Sequence, residues 1–157
     1  MDAHFPNFVV LGVSYRPTTN WNFEFNADWT DWGSLDQIVF QRADGINVSL
    51  PFNYQTSWMY EFGVTRQLGQ GWHLSIGYIF SENSSPDADY NPIVPDDNLH
   101  LGSIGLSHRG QRWDWAIAYH FAWNGERTVS NANIPLANGT YQTFNNAFNL
   151  SATFKFY

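Results

Sequence analysis

The sequence predicts an all-β chain, an antiparallel transmembrane β-barrel segment of about seven strands with short periplasmic turns and long extracellular loops. Three observations carry this. Large apolar and small polar residues alternate with period two from one end of the chain to the other, in runs of about ten residues or more. That length crosses a bilayer at a tilt, whereas soluble strands typically have about 5–6 residues. Trp and Tyr gather near the ends of these runs, where the aromatic girdle of a membrane barrel sits. The polar face is mild: charged residues make up only 13% of the chain and aromatics 18%, against about 25% charged in an ordinary soluble domain.

In chain order, Val9, Leu11, Val13 and Tyr15 share the apolar face of the first run, which ends at the turn "RPTTN". Trp21, Phe23, Phe25, Ala27 and Trp29 form the second, with Asn22, Glu24, Asn26 and Asp28 between them. This run is expected to continue past an irregular "TDWGSL", kinked near Trp32-Gly33, into Ile38 and Phe40. "TSWMYEFGVTRQL" sets Trp58, Tyr60, Phe62 and Val64 against Ser57, Met59, Glu61, Gly63 and Thr65. "GWHLSIGYIFS" sets Trp72, Leu74, Ile76, Tyr78 and Phe80 against His73, Ser75, Gly77, Ile79 and Ser81. "LHLGSIGLSH" alternates weakly, with Ile104 and Leu106 on its apolar face. "RWDWAIAYHFAWN" is the sharpest run, Trp113, Trp115, Ile117, Tyr119, Phe121 and Trp123 against Asp114, Ala116, Ala118, His120 and Ala122. The last, "AFNLSATFKFY", alternates Phe148, Leu150, Ala152, Phe154 and Phe156 with Asn149, Ser151, Thr153 and Lys155.

The connections alternate too. "LGQG" and "HRGQR" are tight turns, whereas "RADGINVSLPFNYQ", "SENSSPDADYNPIVPDDN" and "NGERTVSNANIPLANGTYQ" are long and polar. In a soluble barrel or sandwich the aromatic face would be the core and the polar face would meet water. In a membrane barrel the aromatics face lipid and the polar residues line the lumen. Strand length, the aromatic girdles and the scarcity of Lys and Glu on the polar face favour the membrane. Trp21, Phe23, Phe25, Ala27 and Trp29 are therefore expected to face lipid. The lumen polar network is expected to be Asn22, Glu24, Asn26, Asp28, Glu61 and Asp114.

Other classes fit poorly. A formal net charge of −7 argues against a nucleic-acid partner, which requires a basic patch. With no cysteine, neither a disulfide framework nor a thiolate metal site can form. The start, "MDAHFPNFVVLGVSYRP", has no basic stretch followed by an apolar one and so reads as no signal peptide. No run approaches 18 consecutive apolar residues, so no transmembrane helix is expected. His73 and Ser75 share a face, but neither an orienting third group nor an oxyanion hole can be read beside them, so no enzyme is expected. The scattered histidines predict no metal site, and no cofactor is expected. Asp87, Asp89, Asp96 and Asp97 cluster in one long loop, read either as a divalent-cation site near lipopolysaccharide or as a solvated loop.

Counting strands back from a periplasmic C-terminus makes the first strand run inward as well. Single-chain bacterial barrels normally have an even strand number, so an odd count suggests part of a larger barrel. The run "FPNFVVLGVSYRPTTNWNFEFNADWTDWGSLDQI" resembles a stretch of the outer-membrane long-chain fatty-acid transporters, the FadL type with its aromatic-hydrocarbon relatives. There, a strand ending in Tyr-Arg-Pro or similar precedes a Trp-led strand closing on Trp-x-x-Trp. "GWHLSIGYIFSENSSPDADYNPIVPDDNLHLGSIGLSH" resembles the next part of that family, with Trp-x-x-x-x-Gly-Tyr, a Ser-Pro loop, then Pro-Asp and a strand. The resemblance runs from about Phe5 to Tyr157 and implies the C-terminal half of a barrel of about fourteen strands. No counterpart of the family's N-terminal plug and first-half strands is expected within residues 1–157, which are expected to be a single barrel region. Such barrels commonly end on Phe, whereas here Phe156 is followed by Tyr157.

The resemblance implies passive uptake of hydrophobic compounds such as long-chain fatty acids or aromatic hydrocarbons across the bacterial outer membrane. The expected partners are that small molecule, the lipid bilayer and lipopolysaccharide, with either the other half of the barrel or a second copy closing the sheet. The alternative is a non-transporting structural or surface-displayed segment that closes only with another chain. Candidate substrate-lining residues are Met59, Ile79, Ala116, Ala118 and Ala122 on the inward face. The smaller ones can equally make room for a plug. His120 and Lys155 are the cationic candidates for a substrate carboxylate in mid-strand, the other reading being lumen salt bridges and hydrogen bonds.

Overall fold

The computed structural model describes residues 5–35, 37–41, 43–92 and 95–156; Tyr157 lies outside the described residues. Its main body is one seven-stranded sheet built from β1 (Phe8–Thr18), β2 (Trp21–Thr30), β5 (Ser57–Gly69), β6 (Trp72–Ser81), β7 (Leu99–Arg109), β8 (Trp113–Asn124) and β11 (Phe144–Phe154). Every neighbouring pair is antiparallel. The order follows the chain, so this is a meander, and the sheet is open, with β1 and β11 at its two edges. Two small hairpins stand apart from it: β3 (Gln37–Gln41) with β4 (Asn47–Pro51), and β9 (Arg127–Val129) with β10 (Gly139–Tyr141). Among the described residues the helical pieces are three short 3-10 turns, Trp32–Ser34, Asp87–Asp89 and Pro135–Ala137.

Register explains why the alternation survives from strand to strand. Because side chains alternate with period two, one row of partners keeps one face across the whole sheet. Trp29 stands opposite Trp58, Tyr60 opposite Phe80, and His100 opposite Trp123, which in turn meets Phe144. Near mid-strand Phe25 meets Phe62 and Phe62 meets Tyr78, with ring centroids 4.9 and 6.5 Å apart. Further along the sheet Tyr119 packs on Phe148 at 4.7 Å. Such aromatic pairs add about 0.5–1.5 kcal/mol each beyond area burial. This face is otherwise uncovered: Ile76 is 57%, Leu150 80% and Phe148 76% exposed. Soluble monomers rarely leave a contiguous apolar surface so open.

The aromatic face carries two belts. Trp29, Trp58, Phe80 and Trp123 mark the loop end; Trp21, Trp72, Trp113 and Trp115 mark the turn end. Most polar groups on this face lie at or beside the belts; further in, Asn146 accepts the Tyr119 hydroxyl. Arg66 lies over Trp21 at 5.0 Å, His108 packs at a tilt against Trp72 at 4.8 Å, and His100 Nδ1 lies 2.6 Å from the Tyr78 hydroxyl. Each can keep its polar atoms at the headgroup level while its body rests on rings.

Short turns close one end, at residues 19–20, 70–71 and 110–112. The middle turn puts Gly69, Gln70 and Gly71 at φ of 90°, 49° and 83°. Only glycine fits at Gly71, because a Cβ there would collide with the carbonyl oxygen of Arg109 and the backbone is in the left-handed region.

The long second strand expected from sequence is corrected. β2 stops at Thr30: Asp31 gives its N–H to the Asn7 carbonyl (2.9 Å) and accepts Thr56 Oγ1 at its carboxylate (3.3 Å), and the chain then makes a 3-10 turn. Ile38 and Phe40 belong to the separate β3–β4 hairpin. Alternation shows that a segment is a strand; it does not show which sheet the strand joins. Likewise, the loop after β8 holds its own hairpin, and β11 begins earlier than the alternation suggested, at Phe144.

Candidate functional site

The polar face of the sheet carries the residues that sequence assigned to a lumen. Asn22, Glu24, Asn26 and Asp28 of β2, Glu61 of β5 and Asp114 of β8 all lie on it. Asn26 donates from Nδ2 to Glu61 Oε2 (3.1 Å). Asp28 sits beside that pair, with one carboxylate oxygen buried and unpartnered among the described residues. Asp28 and Glu61 lie in the half of the face nearer the loops, Glu24 and Asp114 in the half nearer the turns.

Interleaved with them is an apolar patch. One transverse row reads Asn26, Glu61, Ile79, Leu101, Ala122 and Asn145, and the row above it Asp28, Met59, Ser81, Leu99 and Asn124. Ile79 therefore faces Leu101, Leu101 faces Ala122, and Met59 and Leu99 lie diagonally beside them, within reach of long side chains. Ala122 is buried. Of the sequence candidates, Met59, Ile79 and Ala122 come together here. Ala116 and Ala118 do not: they lie closer to the turns, among Ser107 and Ser151, and Gly105 and Asn149. Leu99 and Leu101 escaped the sequence reading because their strand is apolar on both faces, which blurs the alternation. Their two-residue phase with Ser103 and Ser107 was the available signal.

The cationic candidates are rearranged. His120 is on the lumen face, between Ser103 and Ala147. Lys155 is not in mid-strand. It follows the last residue of β11, and its Nζ is held at the turn end by Asp114 (2.8 Å) and the Gly110 carbonyl (3.1 Å). Two arginines that sequence reasoning passed over stand on the lumen face instead, Arg16 and Arg109, both beside turns. They line a cavity of about 350 Å³ at the turn end.

His73 and Ser75 point into the lumen but not at one another. His73 Nδ1 lies 3.0 Å from the Gly71 carbonyl, and Ser75 shares a hydrogen bond with Thr65 (2.9 Å).

Over the loop end the three long connections are stitched into a cap. Arg127 is its hinge pin, with Asp87 at 2.7 Å, further bonds to Asn83 and to the carbonyls of Ser85 and Asp96, and its guanidinium 4.8 Å from the Tyr90 ring centre. Asp89 accepts from Asn53 and Asn133, each at 3.0 Å, so one carboxylate ties all three connections. Asp96 accepts from the backbone and hydroxyl of Ser84, and Asp97 from Asn124. The acidic loop cluster is therefore used in internal bonds. Tyr90, Val129 and Ala137 form a small buried core beneath. Burial pushes the Tyr90 hydroxyl above its usual range, with Arg127 opposing. Burial does the same to Tyr54, assisted by the nearby Asp96.

These features agree with what comparison finds. Residues 1–156 match a family described as outer membrane protein transport protein (OMPP1/FadL/TodX). Among solved structures, the chain superimposes on a Pseudomonas aeruginosa FadL homologue with a TM-score of 0.79 and 22% sequence identity. The match covers 97% of this chain and 36% of that one, so the chain spans about a third of that neighbour's length. No curated protein matches the sequence.

Proposed function

The chain belongs to this family of outer membrane transport proteins, and from that premise we propose that its sheet forms part of the wall of a barrel for passive uptake of hydrophobic compounds, long-chain fatty acids or aromatic hydrocarbons among them. The aromatic face meets lipid and lipopolysaccharide, the short turns face the periplasm, and the cap lies outside. The observation that carries the reading is the patch of Met59, Ile79, Leu99, Leu101 and Ala122, which adjoin one another on a lumen face whose larger side chains are mostly polar. A water-filled pore has no use for five apolar side chains in adjoining rows. A hydrophobic solute arriving from outside does, because the patch gives it a place to leave water. Nothing in the wall needs energy input or a cofactor for such passage. We take residues 1–157 as one barrel region.

One observation favours the second reading, a structural segment closed by other strands. β1 and β11 expose their outer N–H and C=O groups, and lipid leaves each such group unsatisfied at a cost of several kcal/mol. In a meander of seven strands the two edges run in the same direction. A second copy in the same orientation would meet them in two parallel seams, whereas an odd number of further strands closes the sheet antiparallel throughout, with an even total.

The test is flux into lipid vesicles carrying the closed barrel. The uptake reading expects a hydrophobic solute to enter faster than into empty vesicles, with Leu101→Asn lowering that rate about threefold to tenfold, on the order of one apolar contact group. A barrel that inserts and closes but passes no hydrophobic solute supports the structural reading.

A further inference from the structure

The lipid-facing side of β7 differs from its neighbours at the loop end. Its outward residues there are His100, Gly102 and Ile104, while β6 presents Phe80 and Tyr78 and β8 presents Trp123 and Phe121. Gly102 stands opposite Tyr78 on one side and Phe121 on the other, and a Cβ added to it would meet no heavy atom within 4 Å. It is the floor of a recess between two aromatic ridges, which runs from the belt down to the half-exposed Ile104.

His100 stands at the head of this recess. Its ring centre lies 5.0 Å from that of Phe80 and 5.3 Å from that of Trp123, on which it stacks, with Nδ1 against the Tyr78 hydroxyl. When that hydroxyl donates to Nδ1, the ring proton sits on Nε2, and a protonated ring keeps it there too. Nε2 is then a donor with no partner among the described residues. Among them, His100 is also the one group on the lipid face of the loop end that can carry positive charge. In the row of Gly102, next to Phe121, Asn146 accepts the Tyr119 hydroxyl at Oδ1 and keeps its amide N–H groups without a described partner. An amide donor at this depth is costly unless something in the bilayer accepts from it.

We propose that His100, Gly102 and Asn146 form a seat for one lipopolysaccharide molecule of the outer leaflet. His100 takes a phosphate of its lipid A, an acyl chain lies over Gly102 between Tyr78 and Phe121, and Asn146 meets the amide and hydroxyl groups near the chain roots. The two donors stand on β7 and β11, two strands apart in the sheet, or about 10 Å. A phosphorylated disaccharide carrying several chains spans that distance; the glycerol head of a two-chain phospholipid does not. The assignment rests on the loop end lying outside the membrane and is independent of the uptake reading.

The test titrates the closed barrel in a neutral detergent with bisphosphorylated lipid A and with phosphatidylglycerol, and counts bound lipid by native mass spectrometry. The parent binds lipid A about tenfold more tightly than phosphatidylglycerol. H100F keeps a ring in the stack and removes both nitrogens; it weakens lipid A about tenfold, as loss of a charge-assisted contact does. N146L weakens lipid A about threefold and leaves phosphatidylglycerol within about twofold. G102L, which the open space accommodates, fills the recess and also weakens lipid A. H108F makes the same exchange on the same face of β7 at the periplasmic end and leaves lipid A within about twofold. Slow, unheated migration in a detergent gel checks that each variant is a folded barrel. Equal affinity of the parent for the two lipids overturns the proposal. So does parental lipid A affinity in H100F, or a loss in H108F as large as that in H100F.

Discussion

The two faces of the same seven strands treat their two ends differently. The lipid face is nearly symmetric from end to end: a Trp-rich belt at the loops and another at the turns, a histidine set into each, aliphatic and aromatic residues between. The lumen face is polarised. Asp28 and Glu61, with the apolar patch, stand near the loops; Arg16, Arg109, His73 and Lys155 stand near the turns. The whole chain follows this division. Of its seven Lys and Arg, Arg16, Arg66, Arg109, Arg112 and Lys155 lie at the turn end, while the acids other than Glu24 and Asp114 that are described lie toward the loops. A bilayer offers each end of a strand a similar interface, and the outer face answers with similar belts. On the proposed uptake reading, a solute crossing from outside to periplasm would meet the ends in sequence, and the inner face differs along that path.

The largest expected effect separates the faces themselves. Ile117 and Ala118 are neighbours on β8, one facing lipid and the other the lumen. Ile117→Lys places a charge in the hydrocarbon and should lower stability by about 2–4 kcal/mol in a urea titration of the vesicle-inserted barrel. Ala118→Lys should change it little, because its ammonium reaches lumen water. Equal effects would erase the distinction.

At the loop end the cap should depend on Arg127. Arg127→Ala removes a nearly buried cation with its carbonyl and carboxylate partners, a loss of about 2–3 kcal/mol for hydrogen bonds to a charged group. Asp87 is half exposed, so the ion pair itself adds little. Limited proteolysis should then cut residues 82–98 and 125–143 faster while the sheet stays intact. At the turn end the matching change, Lys155→Met, breaks a pair that water reaches from both sides. Its urea midpoint should stay close to that of the parent. The contrast says which end of the lumen is held by buried contacts.

The smallest effect is the response of the cap to alkali. Tyr54 and Tyr90 hold their protons more tightly when folded than the usual value of 10.0. The stabilisation this provides is complete below pH 10 and is lost as pH rises through the folded values. Proteolysis of the cap should therefore quicken above about pH 10, and Tyr54→Phe with Tyr90→Phe should remove that acceleration. A cap whose cutting rate is flat with pH would show that these hydroxyls are not buried.

What the sequence could reveal follows the same physics. Face assignment was legible because a strand has period two whatever surrounds it, so the inward position of Glu24, Glu61, Asp114 and His120 and the outward position of Trp113 or Phe121 needed no partner. The strand number and turn–loop asymmetry were legible for the same reason. Row assignment was not. That Ile79 meets Leu101, or that Arg16 and Arg109 share a pocket across five strands, depends on register, which no single run contains. The arginines were also hidden by position: residues next to turns look like ordinary polar punctuation. Lys155 was expected in mid-strand because the alternation runs on past Phe154, where β11 ends. Ile38 and Phe40 were assigned to the wrong sheet because a hairpin in a loop alternates like a strand of the wall.

The absence of cysteine makes the most direct measurement simple. Single cysteines placed in turn from Trp113 to Asn124 of β8, in the barrel inserted in vesicles, are treated with a water-soluble and a lipid-soluble thiol reagent. The account predicts that positions 114, 116, 118, 120 and 122 react with the water-soluble reagent and positions 115, 117, 119, 121 and 123 with the lipid-soluble one. Strict alternation along the whole strand would establish that one face meets lipid and the other an aqueous lumen. Water-soluble labelling at 117, 119 and 121 would contradict it, because the aromatic face would then lie outside any membrane.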